Sequence, residues 1–192
     1  MCNKYPMRKP PEALFDPFTQ LRVPFRWAEG RTPNLEPRDE ITVRDSAPVV
    51  RQAPDGVGVE AAVLPWAWSA PNGRPVFNFR AEGRSFARSD RCLIPADGFY
   101  EFTERTDGKK SPKHRHLFTL AGYDWFWIAG LVRDGAFAML TVQPGPDIAP
   151  FHDRQIVVLP PLAAMDWLAL ERPEAEVLRP LPAGSLTHMQ LT

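Results

Sequence analysis

Cysteine is scarce: Cys2 and Cys92 are the only two among 192 residues. That excludes a disulfide framework, and two thiols alone are too few for a structural zinc site. No C-x-x-C and no H-x-x-x-H spacing occurs, so no metal centre is expected. A glycine-rich phosphate loop and a G-x-S-x-G elbow are also missing, and no cofactor is implied. No run of about 18 apolar residues exists to span a membrane. The opening MCNKYPMRKPPEAL lacks the apolar core of a secretory signal, which makes a cytoplasmic address the default expectation. Net charge is zero, with 23 basic and 23 acidic residues. This argues against a protein that coats nucleic acid by charge alone.

What is present points to one domain over residues 1–192. A hydrophobic fraction of 44% and a charged fraction of 24% are ordinary for a globular chain of this length. Twenty-two prolines and twelve glycines cut the chain into short pieces, and interior proline costs a helix about 3 kcal/mol. Few short helices and many short strands follow, giving an α+β class with a central mixed or barrel-like sheet. Residues 11–18 read as one or two helical turns, and 19–48 as an ordered loop region with short strands. Val76–Arg80 alternates, with Phe77 and Phe79 on one face and Val76, Asn78 and Arg80 on the other. Cys92–Pro95 and Phe99–Thr103 read as strands flanking the turn Ala96-Asp97-Gly98. Leu117–Leu120, Trp125–Val132, Phe137–Val142 and Ile156–Leu159 read as further strands, with Asp134-Gly135 as a hairpin turn. Pro161–Leu170 reads as a helix with proline in its first turn, and the tail from Pro173 as ordered against the body.

Several residues could carry chemistry. If Met1 is removed, as happens when the second residue is small, Cys2 presents a 1,2-aminothiol. Such a group condenses with an aldehyde to a Schiff base and closes onto the same carbon as a thiazolidine. Its α-amine, with a reference pKa of about 8 against about 10.4 for lysine, is neutral and nucleophilic near pH 7 to a much greater extent than a lysine amine. Read alone, Cys2 is equally the second residue of a frayed terminus. Asn78 and Arg80 share a strand face and could hold a carbonyl or amine and a phosphate, or form an exposed polar edge. Glu101, in DGFYEF, faces with Phe99 and Thr103. A carboxyl among aromatics suits proton transfer, though a surface glutamate fits the same pattern. His152, in FHDR, is a candidate acid or base, or a structural histidine. His114, His116 and His188 read as solvent-exposed. Trp66 and Trp68 could stack on bases or fill the core. Residues 72–115 carry ten basic against six acidic side chains, net +4, which permits a local phosphate-binding groove.

Taken in order, Cys2, FNFRAE, RCLIPADGFYEF and FHDR before an apolar strand resemble the SRAP family, whose name stands for SOS-response-associated peptidase. The resemblance runs from Cys2 to about Leu159. It implies a compact α+β domain with a barrel-like sheet that cross-links to abasic sites in single-stranded DNA. It implies Cys2 as nucleophile and Asn78 positioning the terminus and the opened sugar. Glu101 would shuttle protons around the amine and imine, and His152 would act on the sugar oxygen. DNA contacts would come from Lys4, Trp66, Trp68, Arg80, Arg84 and Phe102, with Arg80 on the phosphate flanking the lesion. The chain departs from the family in reading Cys2-Asn3-Lys4 for Cys-Gly-Arg, AAVLPWAW for a Trp-Gly stretch, and Phe102 for a common tryptophan.

Single-stranded DNA bearing abasic sites is thus the expected partner. A monomer is expected, without membrane or obligate protein partners, in the cytoplasm and on the nucleoid when bound. Two other readings use the same residues. One is an N-terminal-nucleophile peptidase or autoprocessing enzyme built on Cys2, Glu101 and His152. The other is a non-catalytic single-stranded nucleic-acid-binding module resting on the basic segment and the tryptophans.

Overall fold

Short apolar stretches cut by proline can satisfy their backbone groups only by pairing with one another. The computed structural model, which describes residues 2–104 and 113–191, shows that pairing. Met1 and, from the basic segment, Arg105, Lys109 and Lys110 lie outside the described residues.

The chain opens with β1 (Lys4–Met7), then a 3-10 turn (Pro11–Leu14) that runs into α1 (Phe15–Gln20). Strands β2 (Phe25–Trp27), β3 (Arg38–Thr42), β4 (Ser46–Gln52) and β5 (Val59–Pro65) follow. Next come the short β6 (Trp68–Ser69), β7 (Pro75–Val76) and β8 (Asn78–Arg80). The longer β9 (Arg91–Ala96), β10 (Phe99–Thr103), β11 (His114–Leu120), β12 (Phe126–Arg133) and β13 (Ala136–Val142) form the second half. After β14 (Gln155–Ile156) and β15 (Val158–Leu159), a 3-10 turn (Pro161–Ala163) leads into α2 (Ala164–Leu168). The chain closes with α3 (Glu174–Val177) and β16 (Leu186–Gln190).

Among the described residues the largest sheet has nine strands, ordered β14-β13-β12-β9-β4-β5-β2, with β15 added beside β12 and β8 beside β13. It is mixed, as expected: β8 runs parallel to β13 and β2 parallel to β5, while the other pairs are antiparallel. It stays open rather than closing into a barrel, because no pairing joins its outer strands β14 and β2 among the described residues. Asp134 (φ 51°) and Gly135 (φ 72°) both adopt the left-handed conformation that the tight turn between β12 and β13 requires. The β4–β5 hairpin is absent from the elements read in the sequence, since Pro48 speaks against a central strand. Pro48 is accommodated because β4 meets β9 only at Val50 and Arg51.

The pleat of the central strands sorts alternate residues into two cores. Leu93, Trp127, Ala129, Ala138 and Leu140 face one cluster, which Leu14, Phe18, Trp167 and Leu168 from the helical segments cover. Cys92, Ile94, Ile128, Phe137 and Met139 face the other, covered by Cys2, Tyr5, Phe99 and Phe118. Burying each of these large apolar side chains is worth about 1.5–3 kcal/mol, so both faces contribute to stability. The second core brings the N-terminus against β10.

One sequence expectation fails here. Phe77 and Phe79 do not share a face, because the strand is interrupted at Phe77. Phe77 packs on the Cys2-side core, whereas Val76 and Phe79 pack on the other.

Candidate functional site

The turn between β9 and β10 moves the chain from the nine-stranded sheet to a separate three-stranded one, ordered β10-β11-β16. Gly98 makes that crossing possible, since a Cβ there would lie 2.7 Å from the Phe118 carbonyl oxygen. The crossing delivers Glu101 beneath the N-terminal segment.

Cys2 is 1% exposed, which excludes a frayed terminus. Its thiol donates to the Lys4 carbonyl at 3.3 Å, and its own carbonyl accepts from Asn78 Nδ2 at 2.7 Å. Asn78 can reach because β8 is fixed in register against β13, Asn78 opposite Met139. A clamp around the buried Arg154 locks this arrangement. The Arg154 guanidinium donates to both Glu82 carboxylate oxygens at 2.6 and 2.8 Å and to the Thr141 carbonyl at 2.8 Å. It therefore ties the turn after β8 to β13. Sequence reading did not single out this pair, since nothing along the chain links positions 82 and 154.

Glu101 is buried at 1% exposure and is not a surface carboxylate. Burial raises its pKa from the ordinary value of 4.5 to about 7. The carboxyl is therefore close to half-protonated at neutral pH. Burial first, and the neighbouring Glu101 carboxyl second, push the Cys2 thiol far above the usual thiol range. The thiol stays protonated at neutral pH.

In front of these groups lies a cleft of about 430 Å³ lined by Asn3, Lys4, Glu101, Phe102, Lys113 and His152. His152 Nδ1 faces two neighbours, the Arg154 backbone N–H at 2.9 Å and the exposed Asp153 carboxylate at 2.8 Å. It cannot accept from the first and donate to the second at once. Burial lowers the His152 pKa, so the ring is neutral at pH 7 and Nδ1 accepts from Arg154. The carboxylate contact belongs to the protonated ring.

Lys4 is paired to Glu40 at 2.9 Å, and Glu40 also takes Arg115 at 2.5 Å. Two cations thus share one carboxylate, leaving a net positive rim. Arg115 lies over the Tyr100 ring, 3.8 Å from its centroid. Lys113 and Asn3 were missed as site residues. Lys113 could have been found only as one charge within the basic segment, and Asn3 had no signal beyond its proximity to Cys2.

The structure thus brings Cys2, Lys4, Asn78, Glu101, Phe102 and His152 together. It does not bring the other proposed contacts to this cleft. Arg80 is exposed two residues beyond Asn78 on β8. Arg84 lines a separate cleft with Glu82 and Glu174, its guanidinium 4.7 Å from the Phe79 centroid. Trp66 and Trp68 require correction as base-stacking residues, because both rings are in the core at 0% and 5% exposure. A covered ring has no face to offer a base. Trp66 instead donates Nε1–H to the Phe77 carbonyl at 2.9 Å and meets Tyr5 edge-on, which props the strand following Cys2. Trp68 packs against Phe79, with Arg133 above it. The expectation that His116 is exposed also fails, since it is buried on β11 directly opposite Glu101.

Comparison with known proteins follows the same lines. The abasic site processing protein YobE of Bacillus subtilis is 27% identical over 201 residues, covering 94% of this chain and 88% of that protein. The abasic site processing protein YoqW of the same organism is 30% identical over 135 residues, which is 62% of this chain and 59% of that protein. A solved structure from Bordetella bronchiseptica superposes with a TM-score of 0.71 at 25% identity over 100% of both chains. One from Bacteroides thetaiotaomicron superposes at 0.72 with 15% identity, covering 100% of this chain and 92% of that one, and shares the fold. The family model described as SOS response associated peptidase (SRAP) matches residues 1–192 from end to end. With its cleft assembled from the four sequence blocks that first drew the comparison, this chain belongs to the SRAP family.

Proposed function

We propose that the protein recognises abasic sites in DNA and captures them covalently in single strands, through Cys2 exposed by removal of Met1. The observation that carries this reading is the 2.7 Å bond from Asn78 to the Cys2 carbonyl, which pins the N-terminal segment over a buried carboxyl at the mouth of a cleft. The names of the relatives YobE and YoqW, both abasic site processing proteins, support the substrate.

Because the thiol is protonated in its buried position, the first nucleophile is the α-amine. Its nitrogen adds to the aldehyde carbon of the ring-opened sugar. Glu101 in its protonated form donates to the departing hydroxyl, so that water leaves and an imine remains. The thiol sulfur then bonds to the same carbon, its proton passes to the imine nitrogen, and the thiazolidine closes. A group with a pKa of about 7 suits both directions of proton transfer near neutrality. Neutral His152, on the cleft wall, moves the proton at the sugar oxygen during ring opening and again on reversal. Lys4, Lys113 and the exposed Arg80 hold backbone phosphates, and Phe102 offers an aromatic surface to a base.

The test is to incubate Met1-free protein with a single-stranded oligonucleotide carrying one abasic site and run a denaturing gel, with intact mass measured in parallel. A denaturant-resistant adduct is expected from protein lighter by one methionine. Full activity in protein that retains Met1 would rule out the aminothiol route. Cleavage of a peptide without any DNA adduct would move the reading to a peptidase.

A further inference from the structure

The chemistry at Cys2 draws on one face of the central sheet, and the opposite face carries arginines that it leaves unused. From β8, Asn78 reaches Cys2, whereas the next residue, Phe79, packs against the core under α1 and α2. There the Phe79 and Trp68 rings lie 6.0 Å apart, centroid to centroid. A guanidinium lies over each of them. Arg84 is 4.7 Å from the Phe79 centroid, and Arg133 is 5.3 Å from that of Trp68. Arg133 stands two residues beyond Leu131 on β12, so the pleat places it on the face that Leu131 gives to the same core. Both distances fall within the roughly 6 Å over which a ring face holds a cation. Trp68 is buried and Phe79 lies under Arg84, so neither ring is open to a base. The rings fix the two charges in place.

Arg84 and Arg133 are exposed, and neither forms an ion pair among the described residues. Two more exposed arginines without an ion pair flank them: Arg74 on the β6–β7 hairpin that carries Trp68, and Arg88 just after Phe86, whose ring meets that of Phe79 edge-on at 6.3 Å. Carboxylates along the same stretch are already engaged. Glu82 takes Arg154, Asp90 takes Arg51 at 3.0 Å, and Glu174 accepts from the Phe86 backbone N–H at 2.7 Å. The exposed Asp134 beside Arg133 leaves this rim net positive. Surface arginines elsewhere, such as Arg8, Arg26 and Arg172, each meet a carboxylate instead.

We infer that Arg84 and Arg133, held over the Phe79–Trp68 pair, form a second phosphate site on the sheet face opposite Cys2, which takes the backbone of the single strand after it leaves the cleft. The inference rests on the proposed binding of single-stranded DNA. The route is supplied by β8. It pairs only with β13 among the described residues, so no strand covers its other edge. Exposed Arg80 stands on β8 between Asn78, which serves the cleft, and Arg84. A DNA strand whose phosphate is held at Arg80 need only pass over this edge to reach Arg84. A guanidinium presents several N–H donors to phosphate oxygens, and one already ordered by a ring loses less freedom on binding. No base edge is contacted, so this site adds affinity without sequence preference.

Fluorescence anisotropy on the full-length, Met1-free protein tests this, with undamaged single strands of about 5 and about 20 nucleotides at several salt concentrations. The double variant Arg84→Gln/Arg133→Gln should bind the long strand more weakly, with the slope of log affinity against log salt reduced by about 0.7–1 for each arginine. Its affinity for the short strand, which fills the cleft alone, should match the parent. Arg84→Lys/Arg133→Lys should restore most of the slope, since lysine keeps the charge. Single-turnover adduct formation by the glutamine variant at saturating DNA should stay within about two-fold of the parent. Unchanged affinity for the long strand, or an equal loss on both lengths, would overturn the inference. Should the variants fail to fold, arginine modification of the parent by phenylglyoxal decides. Mass spectrometry should then show Arg84 and Arg133 shielded by the long strand and not by the short one, and equal labelling with either strand would overturn the inference. Length-dependent weakening without any adduct on abasic DNA would defeat covalent capture and leave the second site standing, whereas an adduct without that weakening would do the reverse.

Discussion

The two cores on either side of the central sheet are built to different specifications. The one under α1 and α2 is apolar throughout, and most of its polar atoms are matched. Trp167 Nε1–H donates to the carbonyls of Cys92 and Gly130 at 3.1 and 3.2 Å, and Trp127 Nε1–H donates to that of Pro161 at 3.0 Å. Trp27 Nε1 is its exception. The core behind the cleft has Cys2 within it and Glu101, His116 and Asn78 at its margin, and its Tyr5 hydroxyl, Asn78 Oδ1 and His116 Nδ1 lack partners among the described residues. Burying an unmatched polar group typically costs about 1–3 kcal/mol. A wall built for stability alone would not collect such groups on one side. The first core holds the fold, and the second gives up some stability to hold polar groups behind the cleft.

The sharpest break between them should come from Cys2→Ala. It should abolish the denaturant-resistant adduct while leaving salt-sensitive DNA binding in place and stability within about 1 kcal/mol of the parent. Cys92→Ala, one strand away in the same core, should still cross-link. Equal adduct yields from Cys2→Ala and the parent would remove the nucleophile assignment.

Glu101→Gln should slow adduct formation by about 10²–10⁴-fold and flatten its pH dependence. The same substitution should raise stability, by an amount that grows as pH rises from about 4.5 to about 7. The folded carboxyl has a pKa of about 7 against 4.5 for an ordinary one. Between those values the unfolded chain loses its proton first, so the parent loses stability as pH rises through the window. The penalty is complete above about 7. A shift of this size corresponds to roughly 3 kcal/mol as an upper bound. Chemical denaturation at pH 4 and pH 8 checks it: no difference between variant and parent is expected at pH 4, and a more stable variant at pH 8. A variant less stable at pH 8 would mean that the carboxylate is better solvated than its burial indicates.

Phe18→Ala addresses the opposite wall. It should cost about 3–5 kcal/mol, as large-to-small core changes do, yet leave the single-turnover rate per folded molecule unchanged. A slowed chemical step in folded Phe18→Ala protein would show that the two cores are not separable. Asn78→Ala should slow adduct formation with the parent pH profile retained, since an amide moves no proton. The smallest effect belongs to Arg80→Ala. It should weaken DNA binding for all sequences alike and reduce the slope of log affinity against log salt by about 1, read by fluorescence anisotropy at several salt concentrations.

Much of this was legible in the sequence. Proline and glycine density dictated short elements, and Asp134-Gly135 announced its hairpin, because turn chemistry acts over a few residues. Cys2, Asn78, Glu101 and His152 could be nominated because their residue types limit what chemistry they can do. Local pattern misled where the environment is made by distant segments. Trp66 and Trp68 sit in a proline-bounded stretch that resembles a surface loop, and β1 and β8 cover them. His116 lies beside charged residues, and β10, β16 and Phe151 close over it. The β4–β5 hairpin was hidden by Pro48, whose missing donor matters only against a neighbouring strand that the sequence does not name. Residue identity determined the available donors, acceptors and nucleophiles, and periodicity determined which of them could share a strand face. Tertiary structure alone decided which were buried, and with that their protonation and their partners. Burial and long-range pairing depend on segments far apart in the chain, 76 residues in the bond from Asn78 to Cys2 and 115 in the ion pair of Lys9 with Asp124, and no local reading of the chain contains them.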